Sequence, residues 1–278
     1  MKLLCLTRFN IEIASFDKSK ERKCLDETYL SQRFDLFERY TLPSMMAQTD
    51  MDYIWLVLFH RETSSIFKKK IDSYVQKYPQ FCPLYLDAQE GERYVSILSD
   101  YIRKKFPNEQ LITIRLDNDD MLCSVFIEYA KNYFIKNKHV KVLSLLNGLQ
   151  YEMNHSWLVK YRYPCNHFLC MNENASKESN NILCFDHSAI TELFTSEELT
   201  FENNMSPMWV EIISGTNVIN SIEWSFKGLN ISREIKGIFP FLPVPWESGI
   251  SQLEYSVSLI PLVIRSKFKK LWKKLKGR

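Results

Sequence analysis

The sequence predicts an α/β fold: a mixed, mainly parallel sheet flanked by helices, plus a basic amphipathic helix at the carboxyl end. Three observations point there. Short apolar runs alternate with longer helical patterns through the first half. One of those runs, "YIWLVLFH" from Tyr53 to His60, is apolar enough to be a strand buried on both faces, as strands of parallel sheets are. The final residues set an apolar stripe among lysines. With 278 residues, 45% hydrophobic and 14% aromatic, the chain can bury one large core or two small ones.

The elements follow in order. "MKLLCLTRFN" reads as a first strand; Thr7 and Arg8 interrupt it too early for a signal-peptide core. "YLSQRFDLFERYTLPSMMAQ" puts Phe34, Leu36, Phe37 and Tyr40 on a broad apolar side, with Pro43 ending or bending the helix. The strand at Tyr53 to His60 is followed by a polar helix from Ser64 to Tyr78. "PLYLDA" is a third strand ending at Asp87, and "ERYVSILSDYIRKKF" a helix with Val95, Leu98, Ile102 and Phe106 at helical spacing. "LITIRL" is the fourth strand and "SVFIEYAKNYFIKN" the helix after it. Past Lys141, "KVLSLLNGLQYE" and "SWLVKYRY" read as two antiparallel strands joined around Met153 to His155. "ILCFDH" and "MWVEIISG" are expected to extend the sheet, and Asn172 to Asn181 to form a surface loop.

Several classes drop out on composition. Seven scattered cysteines, without tight pairs, argue for reduced thiols in a cytosolic setting and against zinc. Glycine is scarce, at 7 residues, and neither G-x-x-x-x-G-K nor G-x-G-x-x-G occurs. No run of about 18 apolar residues is present to span a bilayer.

The fourth strand delivers "LDNDDML", with Asp117, Asn118, Asp119 and Asp120 in succession. Ligands of open α/β sheets gather beyond the carboxyl ends of the strands. Thr7 to Asn10, His60 and Arg61, Asp87 and the acidic run should therefore face one crevice. An aspartate there can cap the next helix. Three carboxylates in four residues exceed what capping needs, and a divalent cation relieves their repulsion. A calcium loop fails because its sixth position is Leu122 rather than glycine. Carboxylates presenting Mn²⁺ or Mg²⁺ to a diphosphate suit an enzyme acting on nucleotide sugars.

These residues also carry a resemblance. "RLDNDDML" resembles the D-x-D motif of GT-A glycosyltransferases. "TRFN", "RFDLFERYTLPSMMAQTD", "WLVLFH", "RLDNDDML" and "WVEIISGTNVIN", in that order, resemble the rhamnosyltransferase family of bacterial polysaccharide loci over about Thr7 to Asn220. The resemblance implies a GT-A (nucleotide-diphospho-sugar transferase-like) domain over residues 1–245, with a nucleotide-binding half (1–122) and an acceptor half (123–245), followed by a tail at 246–278. By position it sets Asp117 against the nucleotide ribose and Asp119 on the metal, with Asp120 assisting or capping. It implies donor-binding roles for Thr7, Arg8 and Phe9, for Asp87 beside the base and for Arg93 near the diphosphate. One departure stands out: Ser214, Gly215 and Thr216 occupy positions where the family carries a histidine and two glycines. His187 is the expected substitute ligand for that histidine.

An inverting transfer needs a base for the acceptor hydroxyl. Asp186, Glu211, Glu152 and Glu173 are the candidates, and Asp186, beside His187, is chosen. The tail "LVIRSKFKKLWKKLKGR" holds eight cations and no acid, in a chain of net charge +3, so the rest is net −5. Ile264, Phe268, Leu271, Trp272 and Leu275 fall on one helical side. That pattern suits anionic lipid better than nucleic acid or the protein's own acidic body.

The expectation is therefore a metal-dependent glycosyltransferase with a nucleoside-diphosphate sugar donor and a lipid-linked or oligosaccharide acceptor, cytoplasmic and peripheral to the inner face of the membrane. The alternatives are a nucleotidyltransferase of sugar activation and a non-catalytic, membrane-associated glycan-binding module.

Overall fold

The computed structural model describes residues 1–13, 24–176, 180–214, 221–231 and 234–276. Gly215 and Thr216, singled out above, and Arg278, the last of the tail's eight cations, lie outside the described residues.

Strands β1 (Lys2–Arg8), β2 (Ile54–His60), β3 (Phe81–Leu86) and β4 (Gln110–Arg115) run parallel in the order β4-β1-β2-β3. Both faces are buried, and the side-chain alternation serves two layers. Leu3, Cys5, Trp55, Val57 and Phe59 point into one core. It is shared with Leu30 and Phe34 of α1 (Glu27–Leu36), Met45 of α2 (Leu42–Met46) and Ile71 of α3 (Ser65–Lys77). Leu4, Leu6, Leu56 and Leu58 point the other way, against Leu98 and Ile102 of α4 (Tyr94–Lys105). The crossover helix α5 (Phe126–Lys136) returns to the first layer through Phe126, Ala130 and Phe134.

Pro43 bends the first helical stretch without ending it. Between α1 and α2 the chain makes a π-helical turn, Phe37–Thr41, in which the Leu42 amide donates to the Phe37 carbonyl. Widening the turn eases the clash of the proline ring with the carbonyl four residues back.

The second half departs from expectation in three places. "KVLSLLNGLQYE" is two strands, not one: β6 (Val142–Leu145) belongs to the large sheet and β7 (Asn147–Glu152) to a smaller one. β7 does form the expected antiparallel hairpin with β8 (Trp157–Arg162). A strand hides at the edge of the expected loop: β9 (Cys170–Asn174) lies between β4 and β6, antiparallel to both. Its polar end, "NEN", reads as loop because its partners are distant in sequence. "ILCFDH" is not a strand but two short 3₁₀ turns, capped by the Asn181 and Asp186 side chains.

After α6 (Ile190–Leu193), β10 (Leu199–Glu202) completes a seven-stranded sheet, β10-β6-β9-β4-β1-β2-β3. β11 (Trp209–Ile213) and the two-residue strand β5 (Met121–Leu122) join the smaller sheet, β5-β11-β7-β8. Gly148 is required on β7: a Cβ there would come 2.2 Å from the Trp209 ring, which lies over it. The chain closes through α7 (Ile235–Ile238), α8 (Gln252–Ser258) and α9 (Ile260–Lys276). None of the described helices is long and apolar enough to cross a membrane.

Candidate active site

The acidic run lies where one sheet hands over to the other. β4 ends in the large sheet at Arg115, residues 117–120 turn with the Asp120 amide donating to the Asp117 carbonyl, and β5 then pairs antiparallel with β11 of the small sheet. Four consecutive polar side chains are thus aimed in different directions, and each is engaged, Asn118 and Asp119 sharing Arg33.

Asp117 faces the crevice with 29% of its side chain exposed. It receives Arg115 Nη2 at 3.2 Å and Arg8 Nη2 at 3.6 Å. Burial alone would raise its pKa; Arg115, His167 and Arg8 outweigh that and hold it far below the usual carboxylate range. Asn118 donates from Nδ2 to the Phe9 carbonyl at 2.9 Å and accepts from Arg33 Nη2. Asp119 is paired with Arg33 Nη1 at 2.9 Å, with both side chains close to fully buried. Asp120 accepts the Ile212 amide at 2.8 Å and faces His167 Nε2 at 2.7 Å. Burial first, then the charges of Asp119 and Asp117, raise the Asp120 pKa well above normal. The His167 pKa is lowered, chiefly by burial.

Asp117, Asp120 and His167 offer ligand atoms that all lie within 4.8 Å of one another. Two carboxylates and an imidazole fit a borderline divalent cation such as Mn²⁺, and Mg²⁺ less well. Asp119, the aspartate expected on the metal, is instead engaged with α1 through Arg33. His187 stands beside this group, its ring 5.8 Å from that of His167. Its Nδ1 lies 2.6 Å from the Cys165 carbonyl, so Nδ1 carries the proton and Nε2 keeps a lone pair, the tautomer a ligand requires. Burial lowers its pKa too.

A second cluster, Glu12, Cys24 and His60, also brings three ligand atoms within 4.8 Å. It does not fit a cation. His60 Nδ1 accepts the Glu62 amide at 3.0 Å, so Nε2 retains the ring proton and presents a donor rather than a lone pair.

The strand ends do line up along one rim. His60 donates its amide to Asn10 Oδ1 at 3.2 Å, Arg61 pairs with Asp87 at 2.6 Å, and Arg8 reaches Asp117. Within that rim the residues expected around a nucleotide divide. Arg8 and Asp87 present charge, and Arg8 also lies 5.8 Å from the Tyr94 ring centroid. Thr7 is fully buried, its hydroxyl accepting the Trp55 indole proton at 2.9 Å. The Phe9 ring packs among Phe34, Phe37 and Phe59, leaving only its backbone near the acidic turn. Arg93 is exposed at the start of α4, where its neighbour Tyr94 makes the contact with Arg8.

Asp186 is exposed and caps a 3₁₀ turn, accepting from the Ser188 amide and hydroxyl at 2.9 and 2.8 Å. Those bonds lower its pKa. Glu211 is the opposite case: buried, held by Gln150 Nε2 at 2.6 Å, its pKa raised by burial and then by Asp120.

Arg33, Arg115 and His167 were not singled out in the sequence. Arg115 had a signal, since residues two apart on a strand share a face. His167 had none without β9: continuing the β4–β9 register beyond Ile114↔Cys170 sets residue 167 opposite residue 117.

Comparison with known proteins places residues 1–224 in the family described as "Putative rhamnosyl transferase". The chain belongs to that family. No curated protein matches this member of the rhamnosyl transferase family. Among solved structures, S. aureus TarS 1–349 in complex with UDP-GlcNAc is similar at 11% identity and a TM-score of 0.46, over 81% of this chain and 62% of that one. The mannosyltransferase PcManGT from Pyrobaculum calidifontis, in complex with GDP-Man and Mn²⁺, is similar at 10% identity and a TM-score of 0.35, over 59% of this chain and 45% of that one. This chain thus spans less than two thirds of the length of either.

Proposed function

We propose that this protein is a metal-dependent, inverting glycosyltransferase that moves a sugar, rhamnose by the family's description, from a nucleoside diphosphate to a glycan acceptor in cell-surface polysaccharide synthesis. The observation that carries it is the grouping of Asp117, Asp120 and His167 at the carboxyl end of β4, in a chain of this family. Residues 1–122 would supply the donor half and residues 123–245 the acceptor half.

Asp117, Asp120 and His167 would hold the cation, with His187 as the adjacent reserve in place of the histidine the resemblance expects near Ser214. When bound, a divalent cation supplies positive charge against the departing diphosphate. Arg8 and Arg115 keep Asp117 ionised, so this ligand needs no proton removed before a cation binds, whereas Asp120, its pKa raised by burial, would give up its proton to one. Arg33 holds the acidic turn against α1 and fixes where Asp117 and Asp120 project. Asp87, paired with Arg61 at the rim, would stand beside the base. Asp186 takes the proton of the acceptor hydroxyl: it is exposed to an incoming acceptor, and His187 and Arg115 contribute to its environment. We also propose that the protein works at the inner face of a membrane, held by its carboxyl-terminal helix.

Thermal unfolding with a panel of nucleoside diphosphates, with and without Mn²⁺, tests the site. A diphosphate that stabilises only when Mn²⁺ is present, with the effect lost in Asp120→Asn and His167→Ala but retained in Asp119→Asn, is the expected result. Stabilisation that needs Asp119 and not Asp120 would restore the ligand set expected from the sequence. Indifference to every nucleotide would leave a binding module.

A further inference from the structure

The basic tail is docked on the body, but by the wrong face for its apolar stripe. Val263 of α9 is fully buried against Val159, Leu229, Tyr255 and Leu259. On the same side Lys267 Nζ lies 4.6 Å from the Phe226 ring centroid, and Lys270 Nζ pairs with Glu223 at 2.6 Å. At roughly 100° per residue, the stripe of Ile264, Phe268, Leu271, Trp272 and Leu275 is centred about 120° round the helix from Val263. All five are exposed, Trp272 by 62%. Next to it α8 repeats the arrangement: Tyr255 is buried, while Leu253 and Val257, one turn apart, face outward.

A helix that only capped its own sheet would turn its large apolar side chains inward, because each one left in water forfeits its hydrophobic burial. Here the inward contacts are Val263, with Ile260 and Leu262 partly buried beside it in the first turn, and then two lysines. The outward face carries an indole, a phenylalanine and three aliphatic side chains, with Arg265, Lys269 and Lys276 beyond it. We infer that the α8–α9 surface is a preformed lipid-binding face for an anionic bilayer, in which Val263, Lys267 and Lys270 fasten the helix to the protein while Phe268, Leu271, Trp272 and Leu275 enter the headgroup region. Lysine aliphatic stems bordering such a stripe reach outward to anionic headgroups. The occupant is assigned by charge: α9 has seven cations and no acid, which suits a negative surface and opposes a second copy of itself. This deepens the membrane association proposed above and is independent of the catalytic assignment.

The test is co-sedimentation of the full chain with vesicles of phosphatidylcholine alone or with about 30% phosphatidylglycerol. Binding should require the anionic lipid, weaken with salt, and fall about tenfold or more in Phe268→Ser/Trp272→Ser. Lys270→Gln, facing the body, should change it by less than about twofold, and Lys269→Gln/Lys273→Gln by more. Equal binding to both vesicle types, binding that survives loss of the two aromatics, or a dimer in sedimentation that those substitutions dissolve would overturn the assignment. Nucleotide stabilisation is measured on the same double variant. If it is absent from wild type as well while vesicle binding behaves as stated, the catalytic proposal fails and the lipid face stands.

Discussion

Replacing Arg33 with methionine should destabilise the protein more than any other single change of an unreacting residue at this site. The guanidinium sits 2.9 Å from Asp119, with 13% and 9% of the two side chains exposed, and it also donates to Asn118. Methionine keeps most of the stem, so the packing loss is small. What remains is a buried carboxylate stripped of its cation, which costs about 3–5 kcal/mol. Arg33 Nε is itself buried without a partner, and removing it returns about 1 kcal/mol. The net cost is therefore about 2–4 kcal/mol, which in a chain of this size lowers Tm by roughly 3–7 °C. Urea and thermal unfolding of Arg33→Met, Asp119→Leu and the double variant make the measurement. The double variant should be more stable than Arg33→Met, since removing both charges also removes the stranded one. A loss under about 1 kcal/mol, or a double variant no better than the single, would refute the buried pair and free Asp119 for the metal role expected from the sequence.

Two further outcomes bear on the carboxylates. Glu173, half-buried on β9 beside the Thr113 hydroxyl at 3.2 Å, has its pKa pushed up to about 8 by burial. Its folded pKa exceeds its unfolded one, so Glu173's own contribution to stability is fully present below about pH 4.5 and is lost as pH rises through about 8, by at most about 4–5 kcal/mol. Glu173→Gln should flatten that slope in urea titrations from pH 5 to 8; an unchanged slope would mean the acid is solvated. Asp186→Asn, which keeps a cap of similar strength, should leave Tm within about 2 °C yet cut turnover about 10²–10⁴-fold. Full activity in that variant would move the base to Glu211.

Local pattern was enough for the parallel core. The run from Tyr53 to His60 reads as a doubly buried strand because no polar side chain interrupts it, and β2 is one, with Trp55, Val57 and Phe59 on one side and Leu56 and Leu58 on the other. The acidic turn was equally legible, since four successive polar residues after an apolar strand can only lie at its end. The tail's amphipathic period was plain, but which face docks was not. Apolar side chains lie on more than one side of the stretch from Leu253 to Lys276, and the positions of Val159, Leu229, Phe226 and Glu223 decide which side is held.

The chain by itself, then, settled which segments are strands of the parallel core, where they stop, and that charge collects at one of those ends, because these depend on composition over a few neighbouring residues. Tertiary structure alone decided which carboxylate meets which partner. Asp117, Asn118, Asp119 and Asp120 are nearly alike in sequence, but they project in different directions between two sheets. Arg33 comes from a helix 86 residues upstream of Asp119, and His167 stands just before β9, a strand whose pairing is non-local. Charge interactions depend on the distance through space between the groups, and chain separation carries no information about that distance.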